Sequence, residues 1–382
     1  MFRYLSRTLP RRTRVLVRVD FNVPIEQGRV RDDFDLIRVL PTIRALQRRR
    51  NTCVLLSHHS DDLQSLAPLA PHLALLLSTP VLFLRDPVSR RAALTVRRAP
   101  PGAVFLAENL RFWRGEKANG PAFAAALARL GEVFVNDAFG ELHRPYASII
   151  GIPRLLPSLV GPLVLAELGM LGRFMHRPRR PLIGIFGGAK VRTKLPTLKR
   201  FVRFADRVLA GGGVANTLLK ARGLGIGRSL AAPASAAVRR LARSRRLVLP
   251  TDVIVKGPRS RVRRVPVAGV TPQERICDIG PETRLAFRHA LGPAKTVIWN
   301  GPLGLAEDRR YAAGTLAIAR ALARHRGSVL VGGGDTVAFL RRVGLRPKFR
   351  YVSTGGGAML AYLAGEKLPG LEALKGSRES RT

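Results

Sequence analysis

The chain is short of acid, cysteine, lysine and aromatic residues. Only 25 Asp and Glu stand against 66 Lys and Arg, leaving a formal net charge of +41 over 382 residues. Only ten of those cations are lysine, so the excess is arginine. Two cysteines, Cys53 and Cys277, cannot build a disulfide framework, which fits a reducing, cytoplasmic setting. No stretch of about 18 uncharged apolar residues occurs, so no membrane-spanning segment is expected. The basic start, residues 1–14, has no apolar core or small-residue cleavage site, so it does not read as a secretory signal. Aromatics are 6% of the chain, and no recognition-helix or zinc-ligand spacing accompanies the arginines. Nucleic acid is therefore not an expected specific partner, although the charge permits non-specific binding and favours anionic substrates. No Gly-x-x-x-x-Gly-Lys-Ser/Thr stretch exists, which excludes a P-loop. The run Gly223-Leu224-Gly225-Ile226-Gly227 lacks dinucleotide spacing and does not follow a strand.

What is present is 46% hydrophobic residues, laid out as short aliphatic runs between helical stretches. The runs fall at 15–21, 52–58, 81–84, 103–108 and 133–137, then at 182–187, 207–211, 247–255, 296–300, 329–332 and 351–353. Near-continuous apolar strands with intervening helices predict parallel sheets covered on both faces. Eleven strands exceed one comfortable sheet, so the fold class expected is α/β with two Rossmann-like domains. The expected organisation is a first domain over 1–160, a joining helix and hinge over 161–180, a second domain over 181–357, and a final helix and tail over 358–382. Prolines in His176-Arg177-Pro178-Arg179-Arg180-Pro181 stop the joining helix.

Polar and glycine-rich residues gather where strands end, the edge at which open parallel sheets bind ligands. Asp20 and Asn22 follow the first run, His58 ends the second, and Arg111 follows the fourth. In the second half come Gly187-Gly188-Ala189-Lys190, Gly211-Gly212-Gly213, Gly332-Gly333-Gly334-Asp335-Thr336 and Ser353-Thr354-Gly355-Gly356-Gly357. Glycine permits close backbone approach, and helix N–H groups attract phosphate, so three Gly-Gly-Gly runs in one domain favour a nucleotide. Lys190 and Lys194, four apart at a helix entry, can reach one phosphate chain or be plain surface lysines. Asp335 can hold Mg²⁺ together with phosphate oxygens or serve as a helix cap. His58 can contact an anion or be a satisfied core histidine.

The segments Val17-Arg18-Val19-Asp20-Phe21-Asn22-Val23-Pro24, Glu108-Asn109-Leu110-Arg111-Phe112 and Asn136-Asp137-Ala138-Phe139-Gly140 resemble those of phosphoglycerate kinases. So do Gly187–Val191, Asp278-Ile279-Gly280-Pro281, Trp299-Asn300-Gly301-Pro302-Leu303-Gly304, 332–336 and 353–357, in the family's order from about residue 14 to 374. The resemblance implies a hinge-bending monomer that moves a phosphoryl group between 1,3-bisphosphoglycerate and ADP, giving 3-phosphoglycerate and MgATP. It implies that Asp20, Phe21, Asn22, His58, Arg111 and Arg144 line the phosphoglycerate site. Lys194, Glu307, Gly333, Gly334, Asp335 and Thr336 would hold the nucleotide, with Asp335 on Mg²⁺. Lys190, Gly355 and Gly356 would attend the phosphoryl group in transit, and the final helix would pack back on the first domain.

Two departures fall in the acceptor half. Asp35, in Asp32-Asp33-Phe34-Asp35-Leu36, stands where the family has its catalytic arginine. Asp61, in Ser57-His58-His59-Ser60-Asp61, stands where another phosphate-binding arginine belongs. A third, Ala361, replaces a family glutamate. Arg38, one helical turn from Asp35, is the candidate compensating catalytic cation. The alternative is a relative that keeps the nucleotide domain with an altered or lost acceptor site.

Overall fold

A computed structural model describes residues 11–353 and 355–376. The chain forms two compact units, residues 1–169 with 367–382, and residues 170–366. The basic start before residue 11, Thr354 of the 353–357 motif and the tail beyond 376 lie outside the described residues.

In the first unit six parallel strands lie in the order Val81–Leu84, Val104–Ala107, Thr52–Leu56, Arg14–Arg18, Val133–Asn136, Ser158–Val160. In the second the order is Leu247–Val248, Arg207–Ala210, Leu182–Phe186, Thr296–Asn300, Ser328–Gly332, Tyr351–Val352, again all parallel. The central strands are buried along their length, as a sheet covered by helices on both faces requires. Val15, Val17, Leu55, Leu106 and Val135 anchor the first core, and Ile183, Ile185, Trp299 and Phe287 anchor the second.

The structure adds what alternation alone did not reveal. The run 247–255 is two strands, Leu247–Val248 and Asp252–Lys256, divided at Leu249-Pro250-Thr251. The second piece leaves the large sheet and joins Val262–Pro266 and Arg275–Ile279 in a small antiparallel sheet. The polar pattern of 262–266, with Arg263 and Arg264, concealed a strand with one solvated face. The division between units falls at Gly169, inside the helix Pro162–His176, and the chain returns to the first unit at Lys367. Return comes later than 358 because the helix Gly356–Ala364 packs on Val191–Phe204 of its own unit, where Thr197 Oγ1 donates to the Leu360 carbonyl. Among the described residues after 358, the helix Pro369–Lys375 is the one that packs on the first unit, through 147–154 and the Leu142 carbonyl. No described helix is long and apolar enough to cross a membrane.

Asp252 ties the small sheet to the helix Pro281–Leu291. Its buried carboxylate accepts from the N–H groups of Thr283 (2.8 Å) and Glu282 (3.2 Å) and from Arg264 Nε (2.9 Å). Burial opposes ionisation, but these donors outweigh it and hold the carboxyl below its ordinary value. Asp252→Asn should therefore lower stability by about 1–3 kcal/mol at pH 7. A depressed carboxyl stabilises above its unfolded pKa and loses that contribution as pH falls through the folded one. Urea unfolding of both proteins should show the deficit at pH 7 and its progressive narrowing as pH is lowered below about 4.

Candidate functional site

Each unit carries a polar cluster at the carboxyl edge of its large sheet. In the first, Asp20 follows the strand Arg14–Arg18, and His58 follows Thr52–Leu56. These strands are neighbours, so the two side chains converge. Glu141 arrives from the turn after Val133–Asn136, and ligand atoms of Asp20, His58 and Glu141 lie within 4.8 Å of one another. Arg18, fully buried, donates from Nη2 to His58 Nδ1 at 2.8 Å and from Nε to Ser148 Oγ at 2.9 Å. A guanidinium donating into Nδ1 fixes the neutral imidazole with its proton on Nε2, which faces Glu141 Oε2 at 3.6 Å. Burial, followed by Arg18, Arg111 and Arg144, pushes the His58 pKa far down, in keeping with a neutral ring. That tautomer leaves His58 no free nitrogen for a metal, so the cluster does not suit a cation.

The cations here are already engaged. Arg144 Nε lies 2.9 Å from Glu141 Oε2, and its Nη1 donates to Tyr146 Oη at 3.1 Å. Arg111 Nη1 donates to the His59 carbonyl at 3.2 Å and lies 3.6 Å from Asp62, which also pairs with Lys117. Asn22 Oδ1 accepts from the Ser60 N–H at 2.8 Å and so braces the 57–61 loop. Asp61 Oδ1 turns back to accept from the Leu63 N–H at 2.9 Å. Phe21 is fully buried in the core, so its side chain is no ligand contact; its N–H donates to Ser57 Oγ.

Acid has accumulated around Asp20. Its carboxyl is pushed up to about 7, first by burial and then by Glu141 and Asp35, with Arg18 opposing. Asp35 is itself raised, by burial first and by Glu167, against Arg38. Arg38 lies 3.6 Å from buried Glu167 and over the Phe34 ring at 5.7 Å. It is thus the counter-ion of acids including Asp35 and Glu167 rather than an unengaged cation. Glu141 is not among the residues expected from the sequence; its only signal there is its place four residues after Asp137 and three before Arg144.

In the second unit a cavity of about 370 Å³ opens at the ends of the strands, lined by Gly188, Gly212, Cys277, Pro302, Glu307 and Asp335 among others. Gly188, Gly212, Gly213 and Gly304 are among the residues that line it. Gly188 and Gly301 have φ of +80° and +96°, and a Cβ on Gly301 would meet the Gly187 carbonyl at 2.3 Å and Lys194 Nζ at 2.4 Å. Lys194 is buried, donates to the Gly187 carbonyl, and is pulled down to about 8 by burial, with Lys190 adding and Asp335 opposing. Lys190 and Asp335 are exposed, as are Glu307 and Gly334, while Thr336 is buried and its Oγ1 accepts from the Gly301 N–H at 2.8 Å. A Cβ on Gly356 would lie 3.6 Å from Gly333 Cα, so the N-termini of the helices Gly334–Arg342 and Gly356–Ala364 lie side by side. Gly355, beside them, donates to Ser353 Oγ at 3.2 Å. Two adjacent helix N-termini with two lysines make an anion-binding surface.

The phosphoglycerate kinase family profile matches residues 8–366. The chain belongs to the phosphoglycerate kinase family. It is 44% identical over 377 residues to the phosphoglycerate kinase of Thermomicrobium roseum, covering 94% of this chain and 96% of that one. For the Pelotomaculum thermopropionicum enzyme the figure is 43% over 376 residues, with the same coverage. Among solved structures, the phosphoglycerate kinase of Coxiella burnetii superposes with a TM-score of 0.82 at 34% identity, over 98% of this chain and 99% of that one. The Pyrococcus horikoshii structure gives 0.86 at 29% identity, over 98% of both chains.

Within this family member the acid around Asp20 has a measurable consequence. A carboxyl raised in the folded state costs nothing below its unfolded pKa, and its cost grows as pH climbs through the folded value. Asp20→Asn should be isostable with the parent near pH 4 and more stable by about 2 kcal/mol or more at pH 8. Equal urea midpoints at pH 8 would refute the raised Asp20 carboxyl.

Proposed function

We propose that this chain catalyses reversible phosphoryl transfer between the acyl phosphate of 1,3-bisphosphoglycerate and ADP, giving 3-phosphoglycerate and ATP. The observation that carries the reading is the cavity with glycines in its lining, near paired helix N-termini and Lys194, in a chain whose family match spans nearly its whole length. Phosphoryl transfer needs in-line positioning and fixed positive charge rather than covalent help, and these groups supply both. Lys194 and Thr336 hold the backbone of Gly187 and Gly301, Lys190 reaches the transferring group, and the N–H groups near Gly333, Gly334, Gly355 and Gly356 receive charge from phosphate oxygens. Glu307 on the cavity wall receives the ribose. In the first unit Arg18 orients His58, and Arg111, Arg144 and Asn22 receive the phosphorylated acid beside Asp20.

Asp335 is a single exposed carboxylate on the first turn of its helix, near enough to Lys194 to influence its charge. One carboxylate plus nucleotide phosphates suits Mg²⁺, which keeps most of its water; the ion would neutralise phosphate charge there. A cytoplasmic setting, with both cysteines free and buried, belongs to the same reading, as does a monomeric, hinge-bending enzyme of glycolysis or gluconeogenesis.

The experiment is a coupled assay of ATP formation from 1,3-bisphosphoglycerate and MgADP. Turnover supports the proposal; MgADP binding without turnover refutes it and identifies a nucleotide-binding relative. Because Asp35 puts an anion beside Asp20, Asp35→Arg should raise kcat/KM by about 10²-fold, the scale of one fixed cationic donor. Arg38→Ala should lower turnover by about 10²-fold if Arg38 serves the transferring group, and leave it within about threefold if it only balances Asp35 and Glu167.

Lys194 yields a test independent of turnover. With its pKa near 8 it is partly neutral at pH 8, and phosphate oxygens favour the charged form. Nucleotide binding at pH 8 should therefore take up about half a proton. Calorimetry in two buffers of different ionisation enthalpy should show this uptake, and Lys194→Met should abolish it.

A further inference from the structure

The arginine excess is not distributed evenly over the two sheets. In the second unit every strand of the large sheet has a cation at its first residue or within the two before it. In sheet order these are Arg246, Arg207, Arg180, Lys295, Arg326 and Arg350, all exposed. At about 4.8 Å between strands they form a row about 24 Å long. Asp206, paired with Arg180 at 2.8 Å, is the one acid at these positions among the described residues. At one end of the row the side chains bridge neighbouring strands. Arg246 Nη1 donates to the carbonyls of Arg203 and Ala205, and Arg207 Nη1 to that of Arg245. The first sheet also has six parallel strands, yet only two of them carry such a cation, Arg50 before Thr52 and Arg12 with Arg14, and one is preceded by Glu132. A uniform compositional bias would load both edges alike.

The row lies at the amino edge of the sheet, whereas the nucleotide cavity lies at the carboxyl edge. It is therefore a separate surface of the same unit. We propose that this edge binds the phosphodiester backbone of single-stranded RNA. A row of five arginines and one lysine, all exposed, sets positive charge at intervals along one edge, which matches the repeated charges of a chain of phosphates. A membrane is the poorer match, because none of the described large apolar side chains that are exposed belongs to these strand-leading positions, so nothing there inserts into lipid. Recognition of this kind is electrostatic and sequence-tolerant, and it weakens steeply with salt. The inference does not depend on the kinase reading.

The test uses the full chain and a fluorescein-labelled 20-nucleotide oligouridylate, followed by anisotropy from 50 to 400 mM KCl. Replacing Arg207, Arg246, Arg326 and Arg350 by Gln should cut affinity tenfold or more at about 150 mM salt. It should also flatten the log–log salt slope by about 3, at roughly 0.7 for each phosphate that is no longer neutralised. A control removes the same charge from the first unit, replacing Arg90, Arg91, Arg97 and Arg98 by Gln; its affinity should change less than about threefold. Replacement of the four row arginines by Lys should retain most of the affinity, which separates removal of charge from damaged folding. Equal losses in the row and control variants would overturn the proposal in favour of diffuse net charge. So would absence of RNA binding at 150 mM, or competition by saturating MgATP, which would place RNA in the nucleotide cavity. Binding to phosphatidylglycerol vesicles without binding to RNA would overturn it in favour of a lipid surface.

Discussion

The second unit depends on backbone lying directly against backbone where its central strands end. A Cβ on Gly187 would stand 2.1 Å from the Pro302 carbonyl oxygen, and one on Gly211 would stand 2.5 Å from Leu303 Cδ2. The Gly188 N–H donates to the Pro302 carbonyl at 2.7 Å, and the Gly212 N–H to that of Leu303 at 2.9 Å. Three strand-ending loops are thereby welded through hydrogen bonds that no side chain could make in that space. Other groups of the site adjoin this weld. Lys194 donates to the Gly187 carbonyl beside it, Thr336 accepts from the Gly301 N–H, and the first turn of the helix Gly334–Arg342 reaches the cavity through Asp335.

The first unit solves a different problem. Its polar cluster is built from charged side chains, so its geometry is a balance of attractions and repulsions. Arg18 is buried at the centre, holding His58 on one side and, through Ser148, Glu116 on the other. Around it Glu141 and Asp35 both bear on Asp20, and Arg144 and Arg111 are drawn to Glu141 and Asp62 of the protein itself. A site of this kind is tuned by single charges, whereas one built from backbone is tuned by single methyl groups. Two of the departures expected from the family resemblance, Asp35 and Asp61, fall in the charge-built first unit, and the third, Ala361, lies on a helix of the second unit outside its glycine runs.

The glycine runs, strand ends and family segments were legible in the sequence because their chemistry is local. A Gly-Gly-Gly run after an aliphatic stretch declares a strand-to-helix turn before any packing is known. The placement of Asp20, His58 and Arg111 on one edge followed from strand order alone. Three things were not legible. The strand Val262–Pro266 carries arginines on a solvated face and loses the apolar signature. Helix spacing makes Arg38 a cation available to substrate, but its partner Glu167 is 129 residues distant, and only folding brings the two within 3.6 Å. Glu141 reads as an ordinary surface acid until burial places it against His58 and Arg144.

The chain leaves the first unit at residue 169 and re-enters it only at 367, so the second unit is an insertion within the first. On the ribosome this reverses the order in which the units can be finished. The second unit holds all its strands once residue 352 has emerged, and it can close on its own core. The first has made its six strands by residue 160 but still lacks the helix Pro369–Lys375, whose Gly370 N–H binds the Leu142 carbonyl and whose Leu371 and Leu374 are buried. The apolar patch that this helix covers at Leu142 and Ile149 must wait through some two hundred further residues, at about 5–20 residues per second. A nascent chain of this architecture therefore carries its oldest domain unsealed until the helix Pro369–Lys375 has emerged.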